Sequence, residues 1–272
     1  MNDTKIKPFT TEARSMLVIS FTILILNILF YYFRFGGQQA ILTASTLFPV
    51  VCSLFAVGSL VKIAFFLKTW DLTKAAWLML AVGFLFWFLE QSTYAVYKLA
   101  LGIAPVVPSV ADIFWLCGII PIFIALTLFI YGYHRTGFII GSWLKYFFIC
   151  LAISVLEIVL FYKLFMPVLY DPQINIAGKV FTLMYPVFDI FILMLAFFMV
   201  LITSLLGKGI LSKPWKFLVT GFVLISVGDI IYSYYNWTGN YQTGSYLDIT
   251  WNFGYLLIAV SAFYQKELME KF

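Results

Sequence analysis

The chain has little charge. Of its 272 residues only 11% are Asp, Glu, Lys or Arg, against about 25% in an ordinary soluble domain. It also lacks any polar stretch long enough to form a soluble domain beside its apolar runs. It holds one histidine, His134, in a predicted loop, which argues against a haem or a His-rich metal centre. Its three cysteines, Cys52, Cys117 and Cys150, sit in apolar runs without paired spacing. That indicates neither a disulfide framework nor a cysteine metal site. There is no GxSxG, no Cys–His pair and no histidine in any apolar run, so no catalytic motif is found and no cofactor is implied.

What is present is apolar surface. The composition is 63% hydrophobic and 20% aromatic, and the mean hydropathy is +1.00. Runs of 18 or more apolar residues recur along the whole length. The expected fold is therefore all-α, a polytopic membrane helical bundle. Eight transmembrane helices are predicted, at about 15–34, 42–67, 74–100, 109–133, 142–166, 175–206, 214–236 and 245–265. Residues 1–272 read as one integral membrane domain. The first apolar segment lacks a small-residue cleavage site after it and reads as a true span.

The net charge of +5 does not point to nucleic acid, because the positive charges are scattered at helix ends. One side of the predicted topology collects 13 of the 17 Lys and Arg residues and the other 4. The positive-inside rule then places both termini in the cytoplasm of a multi-pass cell-membrane protein. The tail at 264–272 reads as a cytoplasmic helical continuation.

The sequence repeats itself. Ser-x-x-Asp-Ile-x-Trp occurs at 109–115 and again at 245–251, and each is followed by a glycine, Gly118 and Gly254. Pro49 recurs as Pro186, Trp77/Gly83/Phe84 as Trp215/Gly221/Phe222, and Tyr94/Tyr97 as Tyr232/Tyr235. The offsets stay between 136 and 138. Two four-helix units, about 15–133 and 142–265, are expected. An even number of spans in each makes them a parallel repeat.

Six carboxylates fall inside the spans: Glu90, Asp112, Glu157, Asp189, Asp229 and Asp248. At 1.5 Å per residue all lie at mid-depth or in the outer half. An ionised carboxylate facing lipid costs at least about 2.5–3.5 kcal/mol, so these groups are expected to face the bundle interior. With Gln91, Tyr94, Tyr97, Trp115, Tyr185, Tyr232, Trp251 and Asn252 nearby, they predict an acidic, aromatic-lined cavity open to the outside. The residues assigned to it as ligand-binding are Glu90, Tyr94, Asp112, Trp115, Tyr185, Asp189, Asp229, Tyr232, Asp248, Trp251 and Asn252.

Other readings compete. Ser109-x-x-Asp112 and Ser245-x-x-Asp248 resemble capping boxes, with each serine hydroxyl near the backbone N–H of its aspartate. The mid-helix acids can also serve as interhelical hydrogen-bonding groups. Trp115 and Trp251 either face the cavity, beside a carboxylate, or anchor the membrane interface.

"PSVADIFWLCGIIPIFIAL", "YPVFDIFILML", "SVGDIIYSYYN" and "GSYLDITWNFGYLLIAVSAF" together resemble the membrane-embedded N-terminal sensory region of prokaryotic multidomain signalling proteins. In that family the region precedes PAS-type, histidine kinase or diguanylate cyclase modules. The resemblance implies a sensor role, with Asp112, Asp189, Asp229, Asp248 and Trp251 at characteristic positions. No output domain follows within the 272 residues. The expectation is either a piece of a longer receptor or a stand-alone form acting through a partner.

Three functions remain open on the sequence. The first is a sensory receptor module for a small ligand or a membrane state, signalling to a cytoplasmic partner or within a homodimer. The second is a proton- or cation-coupled transporter of a small solute, favoured by the repeat and the acids. The third is an intramembrane enzyme acting on lipid, with the acids as general acid and base. Membrane lipids are partners in all three; nucleic acid is a partner in none.

Overall fold

The computed structural model describes residues 11–103, 105, 107–135, 143–204 and 210–271. Among them there is no strand. The helices are α1 (Thr11–Phe33), α2 (Gly37–Phe66), α3 (Leu72–Ala95), α4 (Val110–Arg135), α5 (Trp143–Leu160), the short α6 (Met166–Tyr170), α7 (Ile176–Ser204), α8 (Lys213–Trp237) and α9 (Asp248–Lys271). Two helices end in a π-helical turn, α3 at Val96–Ala100 and α5 at Phe161–Phe165.

Among the described residues seven helical segments are long and apolar enough to cross a membrane, among them α3 and α5 together with their π turns. The eighth long helix, α9, has 24 residues but a more polar C-terminal turn, QKELMEK. Its middle explains its place: residues 254–265 are buried without interruption. A helix buried all round is a core helix, and α9 is the axial rod against which α1, α2 and α8 pack. The predicted eighth span starts three residues too early. The helix runs on to Lys271, and Tyr264, Gln265 and Leu268 are buried.

Around this rod, α3 pairs with α4 and α2, and α7 pairs with α8 and α4. Two of these contacts are unusually close. The backbones of α3 and α4 meet at Gly83 and Gly118, where a Cβ on either would stand 2.8 Å from the carbonyl oxygen of the other. The same holds for α8 and α9 at Gly221 and Gly254, at 2.9 Å. Between α3 and α8 lies an aromatic layer. Phe84 and Phe222 meet edge to face with centroids 5.9 Å apart, and Trp77 and Trp215 meet at 6.1 Å. All four rings are buried.

One end of the bundle, here the lower end, brings the start of α1 to the end of α9. Glu12 accepts from Lys266 at 2.9 Å and from Lys62 of α2. The upper end carries residues 101–103, 105 and 107–109 and the loop 238–247. The outer surface is apolar: Val18, Phe21 and Ile25 on α1, Ile120 and Ile124 on α4, and Phe147, Leu151, Val155 and Ile158 on α5 are all exposed. Soluble monomers rarely expose so many large apolar side chains together; such a surface suits lipid.

Peripheral α5 packs on α7 and buries only Ile153 and Leu160. This corrects one expectation. Glu157 lies on the exposed face of α5, beside Phe161 and Phe165 at a groove shared with α7, and not in the interior.

Candidate functional site

A cavity of about 500 Å³ fills the upper half of the bundle. Its walls come from α2, α3, α4, α7, α8 and α9, and Gly102, Ile103, Pro105, Val107 and the loop 238–247 cover its upper side. Pro49, buried in α2, forms part of one wall.

Nine of the eleven residues assigned from sequence line it: Glu90, Tyr94, Asp112, Trp115, Tyr185, Asp229, Tyr232, Asp248 and Trp251. Two do not. Asp189 is fully buried on α7 behind the wall, beside Ser226 and Asp229, and neither of its oxygens has a hydrogen-bond partner among the described residues. Asn252 points the other way, from α9 to α1, where its Nδ2 donates to Asn27 Oδ1 at 3.2 Å.

Asp112 and Asp248 are held alike. Asp112 Oδ2 accepts from the Ser109 backbone N–H at 2.6 Å and from its hydroxyl at 2.7 Å, and Oδ1 accepts from the Tyr185 hydroxyl at 2.6 Å. Asp248 Oδ2 accepts from the Gly244 N–H at 2.8 Å. Its Oδ1 accepts from the Tyr241 hydroxyl at 2.9 Å and the Ser245 hydroxyl at 3.5 Å. Burial and the Asp248 carboxylate push the Tyr241 phenol up, so it stays a donor. The capping-box expectation is thus half right. Each carboxylate reaches back to the backbone that precedes its helix, but each serine hydroxyl turns to the carboxylate and not to a backbone N–H. In the second copy α9 begins at Asp248 itself.

The two tryptophans face inward. Trp115 stacks on Tyr185 with centroids 3.8 Å apart. Trp251 donates its indole N–H to Asp229 Oδ1 at 2.7 Å, and Trp115 faces the same carboxylate. Trp87 donates to the Trp115 carbonyl at 3.2 Å, which ties α3 to α4 below them.

Glu90 makes one hydrogen bond. Only Oε2 accepts, from its neighbour Gln91 at 2.7 Å. Across from it stands Asp229.

Lys98 was not assigned to the site, because it counts in the sequence as a topology marker. The π turn carries it to the cavity wall. Its Nζ lies 4.5 Å from the centre of the Tyr94 ring and donates to Thr243 Oγ1 at 2.6 Å. Tyr241 and Tyr255 also line the cavity unassigned.

Chemically, the cavity offers carboxylates with free lone pairs, aromatic faces and one ammonium. Among the described residues no group of three or more His, Cys, Asp or Glu could hold a metal ion. Comparison of the chain with protein-family models, curated proteins and solved structures finds no match. Fold and cavity therefore carry the functional argument.

Proposed function

We propose that this protein is a transmembrane sensory module. A small ligand enters the upper acidic-aromatic cavity from outside, and α9 carries the response to the lower, cytoplasmic end, where an output domain or partner receives it. The chain crosses the membrane eight times, with both termini on the basic-rich side. Its two four-helix units form a parallel repeat. Several features support that repeat. Gly83/Gly118 and Gly221/Gly254 make the same close approach in both units. Phe84/Phe222 and Trp77/Trp215 meet their own counterparts, as residues beside a two-fold axis do.

The observation that carries the receptor reading is the course of α9. Its first turn lines the cavity through Asp248 and Trp251. Its middle is the buried axis of the bundle. Near its C-terminal end Lys266 meets Glu12. A change at the cavity that moves α9 is felt at the lower end.

The aromatic layer speaks against a transport path. Below the cavity, Phe84, Phe222 and Tyr255 pack together, and Trp77, Trp215 and Phe129 pack beneath them. These buried rings lie between the cavity and the lower end. Proteoliposomes separate the two readings. With radiolabelled phenyltrimethylammonium as probe, a receptor binds a saturable amount and accumulates none. Time-dependent uptake above protein-free liposomes would make the protein a transporter.

A further inference from the structure

Resting on the reading of the cavity as a ligand site, we propose that its ligand is an organic ammonium ion held between Glu90 and Asp229, and that Lys98 is a tethered competitor which the ligand displaces.

The four cavity acids fall into two pairs. Asp112 and Asp248 each accept three hydrogen bonds from neighbouring backbone, serine and tyrosine groups. They close the upper ends of α4 and α9, and most of their acceptor capacity is used. Glu90 accepts one hydrogen bond, from Gln91, and the Asp229 carboxylate receives one indole donor, Trp251. A carboxylate has about four lone-pair sites, so these two acids, on α3 and α8, retain capacity inside the cavity. Trp87, Trp115, Trp251 and Tyr255 surround them. Carboxylates beside indole and phenol faces are the chemistry that recognises an alkylammonium group.

Lys98 shows that chemistry at work within the chain. It is the only Lys or Arg lining the cavity among the described residues. Its ammonium sits on the Tyr94 face, donates to Thr243 and feels the Asp248 carboxylate. An alkylammonium is thus already accommodated near the covering loops. An incoming cation competes for the same aromatic face and the same negative potential. Displacing Lys98 breaks the bond between the end of α3 and the loop 238–247 that leads into α9. Ligand entry is thereby coupled to the transmitting helix. The space, about 500 Å³, suits a ligand carrying an aromatic or branched alkyl group.

The experiment uses the full chain in nanodiscs and follows indole fluorescence during titration. Three probes of similar shape are compared: phenyltrimethylammonium, neutral tert-butylbenzene and anionic benzoate. Phenyltrimethylammonium is expected to bind in preference to both others. Glu90→Gln and Asp229→Asn should each weaken it about tenfold, as for loss of one charged contact. Lys98→Gln should tighten it several-fold. Size exclusion and thermal unfolding establish that each variant is folded; where Glu90→Gln is not, Asp229→Asn and Lys98→Gln decide. Preferred binding of benzoate, or equal binding of tert-butylbenzene, overturns the ammonium assignment but leaves the cavity a ligand site. Weaker binding in Lys98→Gln overturns the competitor role. Folded protein that binds none of the three overturns this proposal, and proteoliposomes that then also retain no probe overturn the receptor reading.

Discussion

Trp251 donates its indole N–H to Asp229 at 2.7 Å, and so links the first turn of α9 to α8 at the cavity wall. The motif that sets the tryptophan three residues after Asp248 thereby acquires a purpose that capping does not supply. Asp248 closes the helix, and Trp251 fastens it to its neighbour.

Trp251→Phe keeps a ring and removes the donor, so a buried carboxylate loses a partner. A stability loss of about 1–3 kcal/mol is expected, read as a lower thermal unfolding midpoint in nanodiscs. Trp70→Phe is the control, since Trp70 is 76% exposed and should change little. Equal midpoints for the two variants would remove the bond from the energetics of the fold.

Glycine substitutions test the two close helix pairs. A Cβ at Gly83, Gly118, Gly221 or Gly254 would stand 2.8–2.9 Å from a backbone carbonyl oxygen, which cannot swing aside. Each alanine variant should cost about 1–3 kcal/mol. Gly58→Ala in α2, with nothing within 4 Å of the added Cβ, should be neutral or stabilising, by up to about 1 kcal/mol of helix propensity. Similar losses in the α3–α4 and α8–α9 pairs are expected of repeated units; a loss confined to one pair contradicts their equivalence.

Glu157 gives a prediction of opposite sign. It sits among exposed apolar side chains on α5, where a charge facing lipid costs about 2.5–3.5 kcal/mol. Glu157→Leu should therefore raise the unfolding midpoint and leave probe binding unchanged. A lowered midpoint would mean that Glu157 has a partner in the bilayer.

The sequence makes depth legible and azimuth much less so. The apolar runs translate into long helices, seven segments of which are, among the described residues, long and apolar enough to cross a membrane, because length and composition suffice for that. The height of each acid follows from the helical rise. Which way it points depends on packing, and α5 is apolar on nearly every face, so Glu157 could not be told from an inward acid. Asn252 is ambiguous for the same reason, since this part of α9 lies between two interiors, the cavity and α1. Lys98 was hidden by a π turn, which adds a residue to the helical repeat and re-aims the side chain without a sequence signature. The repeated Ser-x-x-Asp, by contrast, was legible as a local device because its hydrogen bonds span only a few residues. Even there, the direction of the serine hydroxyl depended on the cavity acid it found.

The most direct measurement is the movement of α9 itself. Nitroxide labels are placed at Met269→Cys, on the exposed face of the last turn of α9, and at Trp143→Cys, at the start of peripheral α5. Cys52, Cys117 and Cys150 are replaced by alanine. The inter-label distance distribution is recorded by pulsed electron paramagnetic resonance in nanodiscs, without and with saturating phenyltrimethylammonium. A shift of about 1–2 Å or more, the scale of helix movements in switching proteins, is expected, with about tenfold more probe needed to reach it in Asp229→Asn. An unchanged distribution at full occupancy of the cavity would contradict α9 as the transmitting element, and with it the sensory role.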